Sequence, residues 1–110
     1  MSRALVFGGR DYKDWNRLKG VLDRLKPDEV IVGGASGADE LARTWAVNNR
    51  VDHQVCYAKW TKYGKAAGPL RNEYMLSFAP DYGVAFPGGT GTANMMLLCE
   101  EHGVPVQVVA

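Results

Sequence analysis

Three features of this 110-residue sequence specify a layered α/β architecture of Rossmann-like type. Strand-like and helix-like segments alternate from end to end, the strands fall into two apolar patterns, and glycine-rich turns follow three of them. Regular alternation of this kind builds a parallel sheet covered by helices on both faces. The expectation is a three-layer sandwich with five parallel strands in the order 3-2-1-4-5.

The elements read as follows. Ala4–Phe7, Glu29–Val32 and Gly83–Phe86 are short apolar runs, the pattern of strands buried on both faces. Val51–Tyr57 alternates, with Val51, His53, Val55 and Tyr57 set against Asp52, Gln54 and Cys56, and Val104–Val109 carries Gln107 among its valines. These two fit the edges. Between them, Trp15, Leu18, Val21, Leu22 and Leu25 recur at helical spacing, as do Ala38, Leu41, Ala42, Trp45 and Ala46. A third helix is expected to start at Pro69, a residue suited to a first turn, with Leu70, Tyr74 and Phe78 on one face. A fourth is expected from about Thr92 to His102, almost wholly apolar from Met95 to Cys99. In the order 3-2-1-4-5 the winding reverses between strands one and four, and ligands of such sheets bind at that point. With no repeat or linker visible, residues 1–110 read as one domain.

Composition narrows the function. With 46% hydrophobic and 23% charged residues the chain has ordinary globular values, which exclude a disordered polypeptide. A formal net charge of +1 argues against a partner bound mainly through the charge of duplex nucleic acid. No apolar run approaches the roughly 20 residues that span a bilayer, and Ala4–Phe7 is too short for a signal-peptide core. Cys56 and Cys99 have neither metal-ligand spacing nor a disulfide framework. The chain reads as soluble, reduced and cytoplasmic, with no membrane partner, no metal and no cofactor.

The glycines concentrate where a ligand would lie. Gly8-Gly9-Arg10-Asp11 follows the first strand, Gly33-Gly34-Ala35-Ser36-Gly37 the second, and Pro87-Gly88-Gly89-Thr90-Gly91-Thr92 the fourth. Turns that follow parallel strands share one edge of the sheet, and each leads into a helix N-terminus whose unpaired N–H groups attract anions. Glycine lets that backbone approach a phosphate closely; equally, such a turn needs one glycine simply to turn. The segment Lys59–Asn72 reaches the same edge. An arginine in the first turn of a helix opposes its dipole, so Arg71 points to phosphate contact. Trp60 and Tyr63 are either a stacking surface for a base or cover for the core. Asp39 is either a ribose ligand or a favourable acid in a first helical turn.

Four blocks carry a resemblance: GGRDY from Gly8, GGASGAD from Gly33, W-x-x-Y-G-x-x-A-G-P-x-R-N from Trp60 to Asn72, and FPGGTGTANM from Phe86 to Met95. Together they resemble the SLOG superfamily, the domain shared by DprA and the LOG enzymes, and its YspA-like, YpsA-related branch in particular. The resemblance implies a Rossmann-like fold with a pocket for nucleotides or their derivatives. In LOG-type phosphoribohydrolases it implies an arginine, which Arg71 matches, and a glutamate in P-G-G-x-G-T-x-x-E, whose position is Met95 here. Methionine can serve as neither acid nor base.

The expected function is therefore binding of a nucleotide or nucleotide-derived phosphate by a sensor, carrier or sequestering module. The binding residues expected are Gly8, Gly9, Arg10, Gly34, Ser36, Gly37, Asp39, Arg71, Asn72, Gly88, Gly89, Thr90, Gly91 and Thr92. Two alternatives stand beside it. One is nucleoside monophosphate N-glycosidase activity, with Arg71 and Asp39 as the catalytic candidates. The other is single-stranded nucleic-acid binding after the manner of DprA, through Lys59, Lys62, Lys65 and Arg71 with Trp60 and Tyr63. The apolar last helix adds an expected homodimer contact.

Overall fold

Side chains alternate across a strand, so a short apolar strand can feed two cores at once. The computed structural model, which describes residues 2–110, uses every central strand in this way. In chain order the elements are β1 (Arg3–Phe7), α1 (Trp15–Leu25), β2 (Glu29–Gly33), α2 (Ala38–Asn48), β3 (Asp52–Cys56), α3 (Trp60–Tyr63), a 3-10 turn (Gly64–Ala66), α4 (Ala67–Leu76), β4 (Tyr82–Ala85), α5 (Thr90–Glu101) and β5 (Val106–Val108). All strand pairs are parallel and the order is β3-β2-β1-β4-β5. The expected topology is the observed one.

Ala4, Val6, Val30, Val32, Val84 and Phe86 point to the face covered by α1 and α2, where Leu18, Leu22, Ala42 and Trp45 complete a buried layer. Leu5, Phe7, Ile31 and Ala85 point to the other face, against Met75 and Leu76 of α4 and Met95, Leu98 and Cys99 of α5. α1 and α2 connect strands on one side of β1, and α4 and α5 serve the other direction. The two helix layers therefore part above β1 and β4, at the C-terminal edge of the sheet.

Several boundaries differ from expectation. α4 begins at Ala67 rather than Pro69, running on directly from the 3-10 turn. Proline sits within the first turn at no cost, because the N–H it lacks has no intrahelical partner there. It marks a first turn without marking the first residue. α5 begins at Thr90 rather than Thr92, taking Gly91 into the helix. β3 stops at Cys56, whose carbonyl accepts the Gly34 N–H at 3.1 Å; Tyr57 leaves the ladder. β5 starts only after Pro105, which has no N–H to give. Lys59–Asn72, expected to be loop as far as Pro69, contains α3 and the 3-10 turn.

Candidate functional site

The crevice opens where the bends after β1 and β4 meet. The Gly9 N–H donates to the Pro87 carbonyl at 2.9 Å. A Cβ on Gly9 would lie 2.9 Å from that oxygen and 3.0 Å from the Gly88 Cα; one on Gly88 would lie 2.7 Å from the Gly9 nitrogen. Only two bare backbones fit so closely. Gly37, the residue before α2, has φ +76°, in the left-handed region that suits glycine. It packs on the backbone of Gly9 and Arg10. From there the Ala38 N–H reaches the Gly9 carbonyl at 3.1 Å, and the Ser36 hydroxyl donates to the Arg10 carbonyl at 3.2 Å. The first two bends thus use backbone donors and acceptors on each other and on Pro87. They frame the site more than they present donors to it.

The third bend is different. The N–H groups of Thr90, Gly91 and Thr92 precede the first intrahelical bond of α5, from Ala93 to Gly89, and have no partner among the described residues. No side chain caps this helix. A Cβ on Gly91 would meet nothing within 4 Å, so the protein's own packing does not require glycine there. Beside these amides runs a cleft of about 940 Å³. Its walls include Gly8–Tyr12, Ala35, Asp39, Trp60, Lys65, Arg71, Asn72 and Pro87–Thr92. The sequence-derived candidates Gly8, Gly9, Arg10, Asp39, Arg71, Asn72 and Gly88–Thr92 are therefore brought together. Gly34 and Ser36 lie instead in an adjoining hollow, and Gly37 lines neither.

Arg71 enters from α4. Its Nε donates to the Asn72 Oδ1 at 3.0 Å and its Nη1 to the Cys56 carbonyl at 3.3 Å. Among the described residues its Nη2 has no hydrogen-bond partner, which leaves donors over for a guest. Burial pulls the guanidinium below its ordinary value, and Asp39 opposes that shift. Asn72, 5% exposed, is a tie between helices: its Nδ2 donates to the Asn94 Oδ1 at 2.9 Å and to the Gly91 carbonyl at 3.4 Å. The arginine is thereby referenced to the first turn of α5.

Asp39 is 7% exposed at the start of α2. Its carboxylate accepts only the Ala35 N–H, at 3.3 Å. Among the described residues the ion pairs are Arg3–Glu29 and Lys19–Asp23, so Asp39 faces Arg71 without a direct bridge. Burial pushes its carboxyl up to about 7; Arg71, the Ala35 N–H and Arg10 pull the other way and lose. A carboxyl group that exchanges its proton near neutrality can act as an acid or a base. Met95, at the position where the LOG resemblance calls for glutamate, is 1% exposed and gives the cleft an apolar floor.

The aromatic residues separate. Trp60 lines the cleft, with the Arg10 guanidinium 5.4 Å from its ring centroid. Tyr63 lines neither cavity and carries Lys62 over its ring at 5.1 Å. Tyr57, which the sequence placed inside a strand, stands in the adjoining hollow and is 65% exposed. The alternation of the expected strand runs on through Tyr57, so the sequence carries no signal that it leaves the sheet. Asn94 was likewise passed over; nothing in the sequence ties it to Asn72.

Comparison with known proteins agrees with this architecture. The X-ray structure of DNA processing protein A (DprA) from Streptococcus pneumoniae matches with a TM-score of 0.57 at 15% identity, covering 97% of this chain and 58% of that one. The chain spans just over half of the DprA structure, and the likeness is one of fold. The Gene 61 protein of Mycobacterium phage D29 is 38% identical over 118 residues, covering 96% of this chain and 94% of that protein. Residues 2–63 match the family YAcAr, described as the YspA, cpYpsA-related SLOG family. With the sheet order, the converging bends and a full-length relative in agreement, the chain belongs to that SLOG family.

Proposed function

We propose that the crevice between β1 and β4 binds a nucleotide or nucleotide-derived phosphate ligand, the protein acting as sensor, carrier or sequestering module. Membership of the SLOG family supports a nucleotide-related function in general. The observation that carries the finer reading is the first turn of α5: three unpartnered N–H groups beside a glycine that packing leaves bare. Such a terminus attracts an anion through both its donors and its dipole. The phosphate rests on Gly88–Thr92 and takes a charge-assisted bond from Arg71. Ribose and base extend toward Gly8–Arg10, Ser36 and Asp39.

Titration calorimetry with AMP, adenosine and inorganic phosphate tests this. AMP is expected to bind well above adenosine, and Arg71→Gln to weaken AMP roughly 10- to 100-fold, the loss of one charged hydrogen bond. A folded protein that binds AMP no better than adenosine overturns the reading.

Asp39 favours a second reading, hydrolysis of the N-glycosidic bond. The C1′–N bond would break with its electron pair going to the base, which takes the Asp39 proton. Water adding at C1′ returns a proton to the carboxylate. Chromatography of the same AMP mixtures separates the readings: intact AMP leaves binding alone, and free adenine identifies the reaction.

The self-association expected of the last helix is likewise a proposal. Met96 and Leu97 of α5 are exposed, as are Leu70 and Tyr74 on the neighbouring α4, which gives a second copy an apolar surface to cover.

A further inference from the structure

We propose that Asn94 is a specificity-determining residue of the crevice, its amide turned donor-side out toward the ligand by Arg71 acting through Asn72. This rests on the nucleotide reading of the main cleft and adds a residue to that site. Asn94 lies one turn beyond Thr90 and Gly91 on the same face of α5. It is half-buried and lines the cleft next to Met95. The free N–H groups of the first turn of α5 are therefore its neighbours.

A side-chain amide offers an acceptor at one corner and two donors at the other, so its partners decide which way it faces. The Arg71 Nε can only donate, and the Asn72 atom 3.0 Å from it is therefore Oδ1. That turns the Asn72 Nδ2 toward α5, where the Gly91 carbonyl at 3.4 Å can only accept. Two helices impose the same orientation. Asn72 is 5% exposed, so these partners rather than water set it. Its Nδ2 also reaches Asn94 at 2.9 Å, and a donor on that side requires the Asn94 Oδ1 to face it. The Asn94 Nδ2 is what remains, with no hydrogen-bond partner among the described residues. Arg71, Asn72 and Asn94 thus form a relay that delivers a donor, not an acceptor, beside the α5 amides. A phosphoryl oxygen can accept from it; a group that only donates finds nothing there. Met95, 1% exposed, floors the cleft alongside, and a bond made in such a poorly solvated place counts for more than in open water.

Titration calorimetry of the purified protein with AMP tests the proposal, using Asn94→Asp, Asn94→Ala and Asn72→Ala. Aspartate keeps an acceptor toward Asn72 and replaces the donor with a charged acceptor. An acid near the start of a helix suits its dipole, so the thermal unfolding midpoint should be no lower than that of wild type. AMP is nevertheless expected to bind Asn94→Asp roughly 10- to 100-fold more weakly, the loss of one charged hydrogen bond. Asn94→Ala, which adds no repulsion, should weaken AMP less than Asn94→Asp does. Asn72→Ala releases the relay, so its effect on AMP should be smaller in the Asn94→Ala background than in wild type. Wild-type affinity for AMP in a folded Asn94→Asp overturns the proposal, as do equal effects of Asn72→Ala in both backgrounds. Both results leave the nucleotide reading standing. A wild type that does not bind AMP overturns that reading and the role of Asn94 with it.

Discussion

Asp39 sits where water reaches little of it, with one long hydrogen bond and no direct ion pair. Its carboxyl is raised to about 7, whereas an unfolded chain releases the same proton near 3.9. Between those values the native protein holds a proton that the unfolded protein has lost, so this residue's contribution to stability falls as pH rises from about 4 to 7 and is flat above. Asp39→Asn removes the titration. In urea denaturation, wild type is expected to lose about 2–4 kcal/mol relative to this variant between pH 4 and 8, at about 1.4 kcal/mol per unit of displacement. Parallel pH profiles would show that the carboxyl titrates normally. The sequence offers Asp39 as ribose ligand or helix-start acid and does not reveal its burial, because Arg71 reaches that place from a distant segment. Arg71 is singled out by an expected place in a first turn that the structure does not give it: α4 starts at Ala67, so Arg71 is its fifth residue and the dipole conflict is not what sets it in the cleft.

α5 has the same character at the scale of an element. Its first turn contains a glycine that neither φ nor crowding demands, and an exposed helical glycine costs about 0.5–1 kcal/mol against alanine. Gly91→Ala is therefore expected to raise stability by about that amount in thermal or urea unfolding, and to weaken AMP binding by putting a methyl group beside the free amides. A stabilised variant with unchanged affinity would mean that no ligand approaches Gly91. Helix ends were the least legible part of the sequence. A proline or glycine within a first turn is as acceptable as one just outside it, so Pro69 and Gly91 could not fix a start. Strand ends were no clearer: the expected strands run through Pro105, whose missing donor delays β5 to Val106, and through Tyr57, where the chain merely turns aside.

For the whole molecule, strand order was the most legible property. Burial on both faces leaves no polar alternation, so apolar runs identify β1, β2 and β4 as central and mixed ones identify β3 and β5 as edges. The apolar sequence of the last helix suggests a partner. The sheet absorbs Met95, Leu98 and Cys99, and Leu97 remains 59% exposed. If a second copy covers it, wild type sediments as a dimer at micromolar concentration and Leu97→Glu as a monomer; a monomeric wild type refutes the contact. Periodicity cannot say which glycine-rich bends keep their amides free, since that depends on which backbones meet.

Those meetings have a thermodynamic consequence. The Gly9–Pro87 and Ala38–Gly9 hydrogen bonds shape the mouth of the crevice. A guest of the proposed kind would meet a frame already tied by backbone hydrogen bonds, with the Arg10 guanidinium set against the Trp60 ring. Preorganisation of that kind lowers the entropic cost of association, so even a small ligand can be held firmly by a protein of this size.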